Sequence, residues 1–235
     1  MKLWTTLIQG PMSDDQPSLQ YIDKYKEYGD VVISCYHKNA QVNTFKNVNL
    51  DQVTIITNSS PKIPINEKCE WFSQSTFYWA LTTMYNGILG VKTPYVIKTR
   101  SDEGWATFDP FISQFTDDDF LVCGNIFCRK FAELPFHFGD HIFIVKTEHL
   151  KKTLKTLIDI CDQGRLKTNM PAETVLCTYI LKSIGVEPCK ESYLDFVKIV
   201  DINKVKNFHA TWQHGKERYV NSFVNPHGVY SNEDL

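Results

Sequence analysis

Tyr95-Val96-Ile97-Lys98-Thr99-Arg100-Ser101-Asp102-Glu103-Gly104-Trp105 opens as an apolar, β-branched run of the kind that forms a buried strand. It then releases charged residues and a glycine. Side chains two apart share a face of a strand, so Lys98, Arg100 and, if the extension continues, Asp102 point the same way. Two cations and a carboxylate converge there. Charges are costly to bury unpaired, so this strand end suits either a surface Arg–Asp pair or a ligand. A diphosphate with a divalent cation has the matching chemistry.

The flanking segments decide between the two. Upstream, Phe77, Ala80, Leu81, Met84, Tyr85, Ile88 and Leu89 form one continuous apolar stripe at helical spacing, with Ser73 placed to cap it and Gly90 to close it. That helix delivers the chain directly into the opening strand. Earlier still, residues 3–8 read as a buried strand stopped by Gln9-Gly10-Pro11. Ser13-Asp14-Asp15 can cap a helix that has Pro17 at its first position and Leu19, Ile22 and Tyr25 on its buried side. Tyr28-Gly29-Asp30 ends this helix. Strands follow over 31–35 and 53–57, the second running into the turn Asn58-Ser59-Ser60-Pro61. Strand, helix, strand, loop, strand is the opening of a doubly wound α/β sheet, in which ligands bind at the carboxyl ends of the strands. The charged cluster is therefore expected at the ligand-binding edge.

Downstream the order is less regular. Residues 108–115 read as a short helix, and Thr116-Asp117-Asp118-Asp119 precedes a strand over 120–124. Three adjacent aspartates invite a metal reading, but they precede their strand, on the sheet edge opposite the cluster, where a solvated turn is the ordinary outcome. In Phe136-His137-Phe138-Gly139-Asp140-His141, two histidines flank an aspartate before a strand over 142–145. On a strand His137 and His141 would share a face and Asp140 the other, so a zinc site there needs a bend, which Gly139 permits. Leu150, Leu154, Leu157, Ile158 and Cys161 mark a helix ending near Gly164. After a polar loop, Pro171-Ala172-Glu173 opens another helix, with Val175, Leu176, Tyr179, Ile180 and Ile184 as its stripe. Glu173 lies in the first turn, where a carboxylate also complements the helix dipole by about 0.3–1 kcal/mol. A last strand covers 197–200, and the tail from Asn203, with Trp212-Gln213-His214-Gly215-Lys216, folds over the site or wraps the domain.

Bulk properties narrow the classes. A chain of 235 residues can bury a sizeable core as one domain, and 43% hydrophobic with 22% charged residues gives no sign of disorder. A formal net charge of -2 argues against nucleic acid as a partner, which would call for a basic face. The seven cysteines are odd in number and never form a CxxC pair, and several sit in apolar runs. They read as reduced core thiols in a reducing compartment. The amino-terminal apolar run is too short for a signal peptide, and no run approaches the roughly 18 residues of a transmembrane segment, so a soluble, cytoplasmic protein is expected.

Walker A, Gly-x-Gly-x-x-Gly and Gly-x-Ser-x-Gly motifs are all absent. What remains is a fold that handles a nucleotide diphosphate with cations or a metal at strand ends. Sugar transfer from such a donor needs charge stabilisation on the leaving diphosphate and, with inversion, a carboxylate to take the acceptor hydroxyl's proton.

Four short motifs carry a resemblance: Ile8-Gln9-Gly10-Pro11, Lys98-Thr99-Arg100-Ser101-Asp102, Gly139-Asp140-His141 and Pro171-Ala172-Glu173. Together they resemble the WavE-type lipopolysaccharide synthesis proteins and the small glycosyltransferase domains of large algal viruses. The resemblance implies an α/β, GT-A-like single domain over 1–235, a Rossmann-like mixed sheet flanked by helices. About 1–105 would be the nucleotide-sugar-binding half and about 106–235 the acceptor half. It further implies that Asp102 binds Mn2+ or Mg2+ bridging the diphosphate of a nucleotide-sugar donor, and that Gln9 and Gly10 lie against the nucleotide. Lys98 and Arg100, with Ser101 between Arg100 and Asp102, would contact phosphate or fix Asp102. Asp140 and Glu173 would be the two candidates for binding a glycan acceptor and acting as general base. If the chain is viral, its cytoplasm is that of a host. The motif departs from Asp-x-Asp, since Arg100 stands in the first acidic place and can supply part of the metal's charge. A non-catalytic sugar- or nucleotide-binding module and a nucleotidyltransferase are the alternatives.

Overall fold

The computed structural model describes residues 3–36, 44–59, 74–166, 169–202, 205 and 208–210. Four strands, β1 (Trp4–Gln9), β2 (Gly29–Tyr36), β3 (Val53–Asn58) and β4 (Tyr95–Arg100), run parallel. Short β5 (Glu103–Trp105) follows β4, and then come β6 (Leu121–Gly124), β7 (Phe143–Lys146) and β8 (Val197–Val200). The main sheet has seven strands in the order β3-β2-β1-β4-β7-β6-β8, with β7 antiparallel to both neighbours. It is a mixed sheet flanked by helices, as the sequence implies.

Alternation along the strands supplies both faces with apolar side chains. Leu7, Val32, Val96, Leu121, Phe143 and Val145 point to one side, where α3 (Gln74–Leu89), α5 (Thr147–Asp162) and α6 (Ala172–Ile184) cover them. Ile8, Ile33, Ile97, Val122 and Ile144 point to the other, against α1 (Pro17–Gln20), α2 (Ile22–Tyr28) and α4 (Asp109–Ile112). Helix α3 sits close on β1 and β2 because Gly87 faces them. A Cβ there would lie 2.6 Å from Leu7 Cδ1 and 2.9 Å from Ser34 Cβ. The contact is fixed by Ser34, which donates to the Thr83 carbonyl at 2.7 Å and accepts from Asn58 at 3.0 Å.

Several local expectations change. Ser13-Asp14-Asp15 does not cap the first helix. Its N-cap is Gln16, with no side-chain cap bond, while Ser13 turns to Asp15, and Tyr21 splits the helix in two. Leu89 falls off the apolar stripe of α3 and is 56% exposed. The helix over 108–115 contracts to α4. Residues 137–142 are irregular, with a turn at 140–141 and the strand starting at Phe143, so the shared-face argument for His137 and His141 does not apply. His141 pairs with Glu103, and His137 faces Glu173. Asp118 accepts from the Tyr95 hydroxyl at 2.6 Å and pairs with Lys146, at the amino end of β4, far from the cluster as expected of a solvated turn.

Three elements are new, β5 among them. Helix α7 (Lys190–Phe196) is capped reciprocally by Cys189 and Ser192, and Phe208–Ala210 forms β9, antiparallel to β5. The start of the tail thus lies beside the strand that follows Asp102. Ser73, Cys69 and Trp212 to Lys216 lie outside the described residues. Cys35, Cys123, Cys128, Cys161 and Cys177 are buried free thiols, and Cys189 is an exposed one. No helix among the described residues is long and apolar enough to cross a membrane.

Gly139 meets the end of β6 backbone to backbone, since a Cβ on it would stand 1.8 Å from the Gly124 carbonyl oxygen. Gly139→Ala must push the two segments apart. An overpacking cost of about 1–3 kcal/mol should lower the Tm by roughly 2–10 °C in a chain of this size. An unchanged melting curve would contradict this packing.

Candidate active site

The parallel pairing of β1 with β4 sets Gln9 opposite Arg100, so both strands end at one level. Gly10 and Ser101 follow. Gly10 has φ 141, and a Cβ on it would lie 2.5 Å from Ser101 Oγ. Only glycine lets the chain leave β1 in this direction, this close to its neighbour. Ser101 is fully buried beneath it, its hydroxyl without a hydrogen-bond partner among the described residues. Gln9 donates from Nε2 to the Ala80 carbonyl at 3.0 Å, tying the strand end to α3.

Beyond these ends lies a cavity of about 530 Å³. Lys98, Arg100, Asp102 and Asp140 supply its charges, Gln9, Gly10 and Pro11 one side, and Tyr36 with Thr76, Trp79, Ala80 and Thr83 of α3 another. Tyr36 and Trp79 stand with ring centroids 5.3 Å apart and the Tyr36 hydroxyl bound to the Trp79 carbonyl at 2.8 Å, a fixed aromatic wall.

The charges are ordered by one another. Lys98 is buried and donates to the Asp140 carbonyl oxygen at 2.5 Å. Burial lowers its pKa, against the pull of Asp140. Arg100 grips Asp102 with two parallel bonds, Nε to Oδ1 at 2.8 Å and Nη2 to Oδ2 at 2.7 Å. This is the bidentate geometry that makes Arg–carboxylate pairs strong. Burial opposes the guanidinium charge, but Asp102 and then Glu103 outweigh it and raise the pKa. Glu103 is wholly buried, 3.8 Å from Arg100 Nε, and shares a short hydrogen bond with His141 Nδ1.

Asp140 carries its charge toward the cavity. Burial raises its pKa, yet Lys98 first and then His141 and Arg100 prevail and hold it below the usual carboxylate range. Glu173, in the first turn of α6, behaves oppositely: burial and then the Asp140 charge push it up to about 7. His137 Nε2 lies 3.8 Å from Glu173, and burial lowers its pKa to about 4, so it is neutral at pH 7. Two neighbouring carboxyl groups driven apart in this way can supply one proton acceptor and one proton donor near neutral pH.

Of the residues singled out in the sequence, Gln9, Gly10, Lys98, Arg100, Asp102 and Asp140 line this one cavity. Glu173 adjoins it electrostatically through Asp140, and Ser101 packs below it. Tyr36, Trp79 and the Glu103–His141 pair were not expected here. Trp79 did leave a signal, as a large aromatic residue off the apolar stripe of its helix. Arg100 bonds both Asp102 oxygens, so a divalent ion there would compete with the guanidinium, and among the described residues no group of three His, Cys, Asp or Glu could hold a metal on its own.

No protein-family model and no curated protein matches the sequence. Solved structures do match. The glycosyltransferase GlyE of Streptococcus pneumoniae TIGR4 superposes with a TM-score of 0.52 at 10% identity, over 96% of this chain and 50% of GlyE, so the chain spans half the length of that protein. Glucosyl-3-phosphoglycerate synthase of Mycobacterium tuberculosis, solved with Mn2+, UDP and phosphoglyceric acid, gives 0.42 at 10% identity, over 79% of each chain. HddC of Yersinia pseudotuberculosis, complexed with GMP-PN, gives 0.38 at 12% identity, over 64% of this chain and 79% of that one. The likeness to GlyE is one of fold, and the fold is GT-A-like.

Glu173 makes stability depend on pH. Its folded pKa of about 7 lies above the ordinary 4.5, so its contribution is complete below pH 4.5 and is lost as the pH rises to 7. The carboxylate keeps 31% of its surface exposed, and solvent screening trims the linkage to about 1–2 kcal/mol. Glu173→Gln should therefore melt like the parent near pH 4 and above it at pH 8. An equal Tm difference at both pH values would contradict the raised pKa.

Proposed function

We propose that the chain is a nucleotide-sugar-dependent glycosyltransferase that moves a sugar from its donor to a hydroxyl of a glycan acceptor. The observation that carries this reading is the gathering of Lys98, Arg100, Asp102 and Asp140 in one cavity at the strand ends of a GT-A-like sheet. A volume of about 530 Å³ suits a nucleotide with a sugar attached. The Tyr36–Trp79 wall offers aromatic faces to a base, and Lys98 with Arg100 offers positive charge to a diphosphate.

Transfer places growing negative charge on the departing diphosphate, which fixed cations stabilise without having to reorganise. The acceptor hydroxyl must lose its proton as it attacks. Asp140 is the group for this step. It is ionised, it faces the cavity, and among the described residues its carboxylate accepts no hydrogen bond. Glu173 holds a proton up to about pH 7 and shares the Asp140 field, so it serves to orient the acceptor, and the proton taken by Asp140 passes on to solvent.

A thermal-shift screen against UDP-, GDP-, CMP- and TDP-sugars tests the donor. At least one should raise the Tm, and turnover should release a nucleoside phosphate of the donor rather than pyrophosphate. If none shifts the Tm, the reading is wrong. Asp140→Asn should bind the same donor with near-parental affinity and lose roughly 10²–10⁴-fold in kcat, whereas Glu173→Gln should mainly alter the pH profile. Normal turnover by Asp140→Asn would remove it as the base.

A further inference from the structure

Asp102, the carboxylate that the sequence marks as a metal ligand, is held by another side chain of this protein. Arg100 donates to Asp102 Oδ1 and Oδ2 at 2.8 and 2.7 Å, so an ion bound by Asp102 would have to displace a charge-assisted, two-point pair. The guanidinium is also held from behind. Glu103 Oε1 stands 3.8 Å from Nε, Glu103 is wholly buried, and its other oxygen has no hydrogen-bond partner among the described residues. Swinging Arg100 aside would take from that carboxylate one of the basic groups that balance it, in a place where water does not reach. Arg100 still shows 37% of its side-chain surface and lines the cavity, next to the second cation, Lys98.

The remaining carboxylate in the cavity wall, Asp140, is a single ligand, and an ion held there would have to draw its other oxygens from the diphosphate and water. We infer that a nucleoside diphosphate binds in this cavity independently of a divalent ion, with Arg100 holding the place beside Asp102 that the ion would need. The inference rests on the donor reading above. Asp102 then acts as a positioning residue: it aims Arg100, and Glu103 with His141 keeps the pair from rotating out of the cavity.

Calorimetric titration of the purified protein with UDP and with GDP, in excess EDTA and in excess Mn2+, decides the matter. The expected result is binding of at least one of them in EDTA, with a Kd within about tenfold of that in Mn2+, a difference of about 1.4 kcal/mol or less. Binding tighter by more than that in Mn2+, or seen only with Mn2+, overturns the inference and leaves the donor reading standing. If neither binds in either condition, both readings fall. The electron paramagnetic resonance signal of free Mn2+ gives a readout without catalysis. Protein added to Mn2+ and the bound diphosphate should leave the signal as intense as it is with the diphosphate alone, and a marked loss of signal would overturn the inference. Arg100→Asp frees Asp102 and adds a second carboxylate. It should lose diphosphate binding in EDTA and regain it with Mn2+, and if it binds equally well in both, Arg100 does not hold the ion's place.

Discussion

The in-register parallel pairing of β1 with β4 is the constraint on which the site depends. Because Trp4 aligns with Tyr95 and Gln9 with Arg100, two distant segments of chain reach the edge of the sheet at the same height. Everything chemical lies within a few residues of that edge. A slip of one residue would turn Lys98 and Arg100 to the opposite face and leave Ile97 and Thr99 in their place. The register is held by the two apolar faces, since Val96 and Ile97 are each buried on their own side of the sheet. Core packing thereby aims the charged groups.

The charges, in turn, are arranged so that none is buried without company. Lys98 is capped by a carbonyl, Arg100 by a carboxylate, and Glu103 by a histidine. Such networks contribute little net stability, because desolvation offsets most of the attraction, but breaking one member is costly. Their effect is to restrict each side chain to one orientation. Asp140 is the exception, left open to the cavity by neighbours that keep it ionised.

Much of the fold was legible in the sequence because its strands are continuous apolar runs and its long helices carry clear stripes. The strand expected over 197–200 is β8 to the residue, and those over 31–35 and 53–57 differ from β2 and β3 by one or two positions at their ends. The site's cations and carboxylates were legible for a related reason, as charges at the end of a buried strand. What escaped was what only tertiary contact decides. The cap of α7 is a cysteine, which propensity does not mark as a cap, and β9 is a strand because β5 lies beside it. Glu103 reads as a neighbour of Asp102 in the sequence, yet it turns inward to His141, 38 residues away. Asp102 reads as a ligand, and the Arg100 side chain reaching across to it is invisible to spacing alone.

The pairing of β5 with β9 carries a consequence for how the protein is made. Glu103–Trp105 begins one residue after Asp102, and its partner Phe208–Ala210 lies about a hundred residues further on. A ribosome would release the whole seven-stranded sheet before that partner emerged, since β8 ends at Val200. The flank of the charged cavity is therefore the last part of the described architecture to be assembled. The short strand that follows Asp102 gains its partner only after every strand of the main sheet has been made.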